Sequence, residues 1–202
     1  MSFFRKFFGS TIPPSDDEKE RVQELHKPSP NINSPLDEQF VHNFKKNGGK
    51  FLYCENVKEV KEQFENILEE NDWFESEALC YEAKLFTMLD ENKILYIKPQ
   101  KPNFFLASCE SLVANEGSIL FSSIQIKQNK PNELPVNIII LAKTSQIIEG
   151  KSDGLSTIRK KYLTEYPTNI TTIKYFEKAK EEHFTQYGSV PKNLYLLLLE
   201  DL

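Results

Sequence analysis

The chain has 202 residues, 39% of them hydrophobic, with 25 basic and 30 acidic residues and a net charge of -5. This length supports one sizeable core, so a single folded domain is expected. The charges lie in mixed runs without a basic block, which argues against nucleic acid as a main partner. Cys54, Cys80 and Cys109 stand far apart. They therefore predict no metal site, no disulfide framework and no cluster cofactor.

Residues 1–35 predict an N-terminal arm, and residues 36–202 the folded domain. The arm contains five prolines among Ser, Asp and Asn, a composition that cannot supply a core. Its first nine residues, MSFFRKFFG, place aromatic side chains on one face of a short helix: Phe3, Phe4, Phe7 and Phe8. Such a face suits a membrane-surface anchor or a docking peptide. Because nine residues make a weak anchor, we favour a flap on its own domain or a contact in a homo-oligomer.

The start of the chain lacks the apolar core and cleavage site of a signal peptide. No segment reaches the run of about 20 apolar residues that spans a bilayer. A cytoplasmic protein without a transmembrane segment is therefore expected.

The first regular elements are predicted to be a helix, a strand and a second helix. Ser34 is expected to cap the first helix, with Pro35 in its first position, and Gly48 and Gly49 to end it. The apolar run 51–54 predicts a buried strand. Asn56 with Glu59 predicts a capping-box start for the second helix, whose buried stripe is Val57, Val60, Phe64, Ile67 and Leu68.

The middle of the chain predicts strands at 78–81 and 94–97, separated by a segment of helical composition at 83–89. Two apolar runs, 112–114 and 119–121, then flank the polar turn 115–118. This pattern is typical of an antiparallel hairpin. Residues 125–133 are polar and predict a mobile connection.

The last third predicts a strand at 136–142 that is covered on both faces. A helix at 153–165 follows, capped by Asp153, with Leu155, Ile158 and Tyr162 directed inward. A strand at 169–173, a charged helix at 176–186 and a buried strand at 194–199 complete the chain. This alternation favours a three-layer α/β/α fold with a mostly parallel sheet and one antiparallel hairpin.

The hairpin turn is the candidate functional site. Glu116 would be held at a loop tip as nucleophile, base or anchor, while Gly117 would let backbone amides approach a ligand. Ser108, Asn115 and Ser118 complete the set of candidate ligand-binding residues. The alternative is a surface hairpin with a solvated glutamate, which the tetrapeptide alone favours.

Other catalytic patterns have little support. The three histidines lie in the arm or in charged helical stretches, so a nucleophile–histidine triad is not expected. Cys109 is expected to be a buried structural thiol. Neither of the usual glycine-rich phosphate loops occurs.

The stretch SCESLVANEGSIL at 108–120 is similar to a known A-(x)-A-x-A-E-T-G-T/S hairpin. That hairpin is typical of the LUD-domain family, which includes lactate-utilisation protein C (LutC), and further segments resemble the same family in order. Residues 134–141 resemble its L-P-P strand, and residues 169–173 and 187–195 resemble its final strand and its G-x-x-G-P-x-x-L turn. The resemblance covers roughly residues 37 to 202. The chain departs from the family at 174–181, where KYFEKAKE replaces a small-residue loop, so a divergent member is indicated.

This resemblance implies the fold shared by ribose-5-phosphate isomerase, glucosamine-6-phosphate deaminase and coenzyme A transferases. It also implies a part in bacterial oxidation of L-lactate to pyruvate, as a non-catalytic accessory or regulatory subunit beside iron–sulfur oxidoreductase partners. Two alternatives use Glu116. One is an enzyme that works as coenzyme A transferases do, and the other is a module that binds a small carboxylate or another anionic ligand.

Overall fold

The computed structural model describes residues 34–174, 176 and 192–202. The α-helices in these ranges are α1 (Leu36–Lys46), α2 (Val57–Asn71), α3 (Phe86–Glu91), α4 (Ser123–Ile126) and α5 (Lys151–Lys161). The strands are β1 (Lys50–Cys54), β2 (Ala78–Leu79), β3 (Phe104–Ser108), β4 (Ser111–Val113), β5 (Ser118–Ser122), β6 (Asn137–Lys143), β7 (Ile147–Ile148), β8 (Ile170–Ile173) and β9 (Asn193–Leu199). Short 3-10 turns lie at Ala83–Leu85, Pro131–Glu133 and Thr144–Gln146.

The larger sheet has five parallel strands in the order β1-β9-β6-β3-β2. Its centre is the pairing of β6 with β9, in register from Asn137 beside Asn193 to Lys143 beside Leu199. Both strands are nearly continuous apolar runs, as expected for parallel strands covered on two faces. All these strands run the same way, so their carboxyl ends meet at one edge, which we call the carboxyl edge.

The hairpin belongs to a second sheet of four strands in the order β7-β4-β5-β8. Strands β4 and β5 are antiparallel, with Leu112 beside Ile119, and β8 is antiparallel to β5. The two-residue strand β7 runs parallel to β4. The predicted antiparallel hairpin is thus confirmed, and it extends into a sheet of its own.

Helices and the second sheet cover both faces of the parallel sheet. On one face, α2 and α3 pack through residues such as Phe64 and Leu89 against Phe104 and Leu197 of the sheet. On the other face, α1 and the second sheet bury a separate core, whose largest side chains are Phe40, Phe44, Phe105, Phe121 and Phe176. Helix α5 covers the far side of the hairpin, where Ile158 packs on Val113 and Leu120. The layered α/β architecture with a mostly parallel sheet is confirmed.

The starts of three helices can be compared with the predicted N-terminal caps. Asn56 caps α2, since its side chain accepts the Glu59 backbone amide at 3.0 Å, as predicted. Ser34 does not cap α1: Pro35 occupies the position before the helix and no side-chain cap forms. In α5 the residue before the helix is Gly150, and Asp153 accepts its amide at 3.1 Å from inside the first turn.

One expected strand and two expected buried side chains were wrong, and one strand was not predicted. Residues 94–97 form no strand; a single bridge joins Leu95 to Glu77, and Ile97 is exposed. Val57 and Leu155, predicted to point inward, are also exposed. The buried residues of α2 begin only at Val60, and α5 is buried through Gly154 and Ile158 instead. Strand β3, fully buried in the centre of the sheet, was not predicted.

Some predicted segments lie outside the described residues. These are residues 1–33 of the arm with its four phenylalanines, residues 177–186 of the charged helix, and residues 187–191 of the turn before β9. The division into an arm and a domain therefore stays a prediction. Residues 125–133, expected to be mobile, contain the end of α4 and a 3-10 turn. In the parts of the chain that are described, no helix has the length and apolar character required to cross a bilayer.

Candidate functional site at the hairpin tip and the carboxyl edge

The hairpin tip is fastened to helix α1 by side-chain amides. Asn43 Nδ2 donates to the Ala114 carbonyl at 2.8 Å. Asn47 Nδ2 donates to the carbonyls of Glu116 and Gly117 at 2.8 and 3.1 Å. These bonds satisfy carbonyls that a free loop would leave to water, so the tip is held in one position.

Gly117 sits where no larger residue fits. Its φ is +60°, and a Cβ at this position would lie 2.3 Å from the backbone carbon of Asn43 and from the amide nitrogen of Phe44. Its own amide donates to the Val113 carbonyl at 2.9 Å. The structure therefore gives this glycine a packing role against α1, and its expected contact with a ligand stays a prediction.

Glu116 is held beside the first residue of α5. Its Oε2 lies 2.9 Å from Lys151 Nζ, and its side chain is 29% exposed. The Ser118 hydroxyl donates to the same oxygen at 3.5 Å, while Ser118 itself is buried. Asn115 is exposed, and its backbone N–H donates to the Glu149 carbonyl at 3.2 Å. Glu116 is thus a partly exposed, ion-paired carboxylate at a rigid tip, and a role in ligand binding stays a prediction.

Ser108 lies in a different hydrogen-bonded group, at the carboxyl end of β3. The buried carboxylate of Glu82 accepts both the Ser108 amide and the Ser108 hydroxyl at 2.6 Å. Lys84 Nζ donates to Ser108 Oγ at 2.8 Å and lies 3.0 Å from Glu82 Oε2. No hydrogen bond joins Ser108 to the hairpin tip among the described residues. The five predicted site residues therefore fall into two groups.

Glu110 forms a second buried carboxylate two residues further along. Its side chain is 2% exposed and lies 2.8 Å from Lys161 Nζ. It also accepts from Ser122 Oγ at 2.7 Å, Gln125 Nε2 at 2.9 Å and the Tyr162 hydroxyl at 2.9 Å. Burial alone would raise the pKa of Glu110, but the hydrogen bonds from Lys161, Ser122 and Gln125 outweigh it and hold the pKa below its usual range.

Cys109 separates these two groups and is fully buried. Burial, followed by the nearby carboxylates Glu110 and Glu82, raises the pKa of its thiol well above the usual range. The Cys109 carbonyl accepts from Gln146 Nε2 at 2.7 Å. A thiol held protonated in this way is a poor nucleophile, so the expected structural role fits its surroundings.

The other half of the carboxyl edge is closed by the end of the chain. Asp201 accepts the Ser145 amide at 2.9 Å and the Ser145 hydroxyl at 2.8 Å, and the Thr144 hydroxyl donates to it at 3.0 Å. Its pKa lies below the usual range, since these bonds outweigh the effect of burial. The Tyr53 hydroxyl donates to Glu200 Oε2 at 2.6 Å. These hydrogen bonds join the segments that follow β6 and β9, so this half of the edge has a structural role.

The part of the carboxyl edge around β3 lies where open α/β sheets bind their ligands, just outside the carboxyl ends of the strands. Sequence reasoning missed its charged residues: Glu82, Lys84, Glu110 and Lys161. Each partner lies far along the chain from Ser108 or Glu110, and local spacing gave no signal of these contacts. Among the described residues, no group of three or more His, Cys, Asp or Glu side chains could hold a metal ion.

Comparisons with known proteins agree with this architecture. A sequence model described as the LUD domain matches residues 38–199. The fold is similar to a crystal structure of a DUF162 family protein from Deinococcus radiodurans, with a TM-score of 0.60 and 12% sequence identity. That similarity covers 84% of this chain and 99% of the other chain. No curated protein matches this chain in sequence. Since the domain match spans most of the chain, the protein belongs to the LUD-domain family.

Proposed function

We propose that this chain is a cytoplasmic, non-catalytic component of L-lactate utilisation, acting beside iron–sulfur oxidoreductase subunits that oxidise L-lactate to pyruvate. The observation that carries the proposal is the LUD-domain match over residues 38–199. The resemblance to lactate-utilisation protein C then gives the process and the class of partner.

The state of the candidate carboxylates favours an accessory role over catalysis. Glu82, Glu110 and Glu116 each lie within 3.0 Å of a lysine ammonium. For Glu110, whose pKa lies below its usual range because of the hydrogen bonds it accepts, the carboxylate is a weaker base than a free one. The tip that carries Glu116 is also fastened to α1, which suits a fixed surface for a partner.

The competing function is acyl transfer with Glu116 as the catalytic carboxylate. Its support is that Glu116 keeps part of its surface open to solvent while Lys151 fixes its position. The two functions differ in what they require of this one side chain. An acyl-transfer enzyme needs the carboxylate oxygen, whereas an accessory subunit needs only the fold.

A deletion strain tests the proposal. Loss of the gene should slow growth on L-lactate and leave growth on pyruvate unchanged, and the wild-type gene should restore growth. A Glu116→Gln copy should restore it equally, with Glu149→Gln as the matched control at an exposed position. Unchanged growth of the deletion strain on L-lactate would refute the proposed process. Failure of Glu116→Gln alone would instead show that the Glu116 carboxylate is required, as the acyl-transfer alternative expects.

A further inference from the structure

Two partly exposed lysines at the carboxyl end of β3 each form an ion pair with a buried carboxylate. The side chains of Glu82 and Glu110 are 6% and 2% exposed, whereas those of Lys84 and Lys161 are 63% and 52% exposed. Burying a carboxylate is costly, and a cation offsets that cost only in good geometry. Each buried glutamate therefore fixes the place of an ammonium group that still reaches solvent.

The two ammonium groups are held by residues that lie two positions apart in the chain. Lys84 Nζ lies 2.8 Å from Ser108 Oγ, and Lys161 Nζ lies 2.8 Å from Glu110 Oε2. Ser108 and Glu110 are separated only by Cys109, so their Cα atoms are at most about 7 Å apart. An ammonium has three donors. Ser108 and Glu82 engage two of those on Lys84, which leaves one for a ligand.

A third lysine approaches the same edge from a strained backbone. Lys127 ends helix α4 with φ +54° and ψ -128°, a conformation that is costly for any residue except glycine. Its Nζ lies 6.0 Å from the centre of the Tyr81 ring, just beyond the end of β2. The same helix supplies Gln125, which donates to Glu110. Strain of this kind is retained where the surrounding structure or a function requires it.

We propose that the carboxyl end of β3 binds a small organic anion, a carboxylate or a phosphate, through the ammonium groups of Lys84 and Lys161, with Lys127 as a third cation at the same edge. The buried Glu82 and Glu110 are positioning residues that fix the two lysines. This site is separate from Glu116, and the inference does not depend on the role in L-lactate utilisation.

Lysine labelling of the wild-type chain tests the site without any substitution. The full chain is acetylated under single-hit conditions with millimolar pyruvate, millimolar inorganic phosphate, or sodium chloride at equal ionic strength, and each lysine is measured by mass spectrometry. We expect pyruvate or phosphate to slow labelling of Lys84 and Lys161 severalfold. Lys58, an exposed lysine on α2, should be labelled at the same rate throughout and is the internal control.

Substitutions test the same site by affinity. In calorimetry, the double variant Lys84→Gln and Lys161→Gln should bind the effective anion at least ~10-fold more weakly, since a hydrogen bond to a charged group contributes enough for that factor. Lys58→Gln should bind as the wild type does. Circular dichroism shows whether the double variant is folded, and the labelling result stands if it is not.

The outcomes separate the ligand classes. An effect of pyruvate alone identifies a carboxylate ligand, and an effect of phosphate alone identifies a phosphorylated one. Either result supports the site. Equal labelling of Lys84 and Lys161 in all three solutions overturns it, and so does wild-type affinity in a folded double variant.

Discussion

The ammonium group of Lys161 lies 2.8 Å from Glu110 Oε2, so the last turn of α5 is joined directly to the segment between β3 and β4. The carboxylate in this pair is buried and also accepts from Ser122, Gln125 and Tyr162. One side chain therefore connects α4, α5, Tyr162 and the end of β5. This connection gives the pair a measurable role in stability.

Glu110→Gln should lower the free energy of unfolding by about 1–3 kcal/mol at pH 7, because it weakens charge-assisted bonds to a buried acceptor. The effect should depend on pH. The pKa of Glu110 is lowered in the folded chain. Its contribution is therefore present above the unfolded value, near pH 4.3, and is lost as the pH falls through the folded value.

Chemical denaturation from pH 7 to pH 3 measures this difference. The wild type and Glu110→Gln should converge in stability toward low pH. Glu149→Gln, at an exposed position, should stay within about 0.5 kcal/mol of the wild type at pH 7. A constant gap between the wild type and Glu110→Gln across the whole range would contradict the charge-assisted bonding described for Glu110.

Gly117→Ala should destabilise the chain by about 2–4 kcal/mol, since alanine is strained at φ +60° and its Cβ would overlap the backbone of α1. Gly150→Ala is the matched control, because its Cβ would meet ordinary contacts, the nearest being Asn115 Nδ2 at 3.4 Å. Thermal unfolding of both variants gives the comparison. Equal melting temperatures would show that the hairpin tip is not packed on α1 as described.

Asn56→Ala should cost about 1 kcal/mol, because it removes the side chain that accepts the Glu59 amide at the start of α2. Ser34→Ala should change stability by less than about 0.5 kcal/mol, since Ser34 makes no side-chain cap to α1. Urea denaturation midpoints of the two variants show whether Asn56 stabilises the start of its helix and Ser34 does not. A larger loss for Ser34→Ala would reverse this assignment.

Glu116→Gln should change stability by no more than about 1 kcal/mol, because its ion pair with Lys151 is partly exposed to solvent. Lys151→Gln and the double variant complete a cycle that isolates the pair. The coupling energy is measured by denaturation at low and high salt. A value above about 2 kcal/mol would contradict this expectation and show that the ion pair contributes strongly to stability.

The elements predicted correctly are those that a short local sequence signal specifies. The apolar runs of β6 and β9, the Asn56 cap and the hairpin around Gly117 all carry their cause within a few neighbouring residues. The run at 94–97 has the same composition as a strand, and only tertiary contacts show that most of it faces solvent. Strand β3 was overlooked although its apolar run at 104–107 is of the same kind as the run at 51–54 that predicted β1, so the sequence did carry a signal for it.

The polar groups at the carboxyl edge could not be read from the sequence because their partners are distant along the chain. Ser108 binds a glutamate 26 residues away, and Glu110 binds a lysine 51 residues away. A charged residue is usually exposed, so nothing local marks Glu82 or Glu110 as buried. The position of Glu116 at a loop tip could be predicted because the turn motif specifies it, and its role in a site stays a prediction.

Oxidation of L-lactate in cell extracts tests the proposed function most directly. Extracts of a deletion strain should form pyruvate from L-lactate slowly with an artificial electron acceptor. Adding the purified full chain should restore the rate, and the purified chain alone should form no pyruvate. Pyruvate formation by the chain alone, or equal rates with and without it in the extract, would contradict a non-catalytic role in L-lactate utilisation.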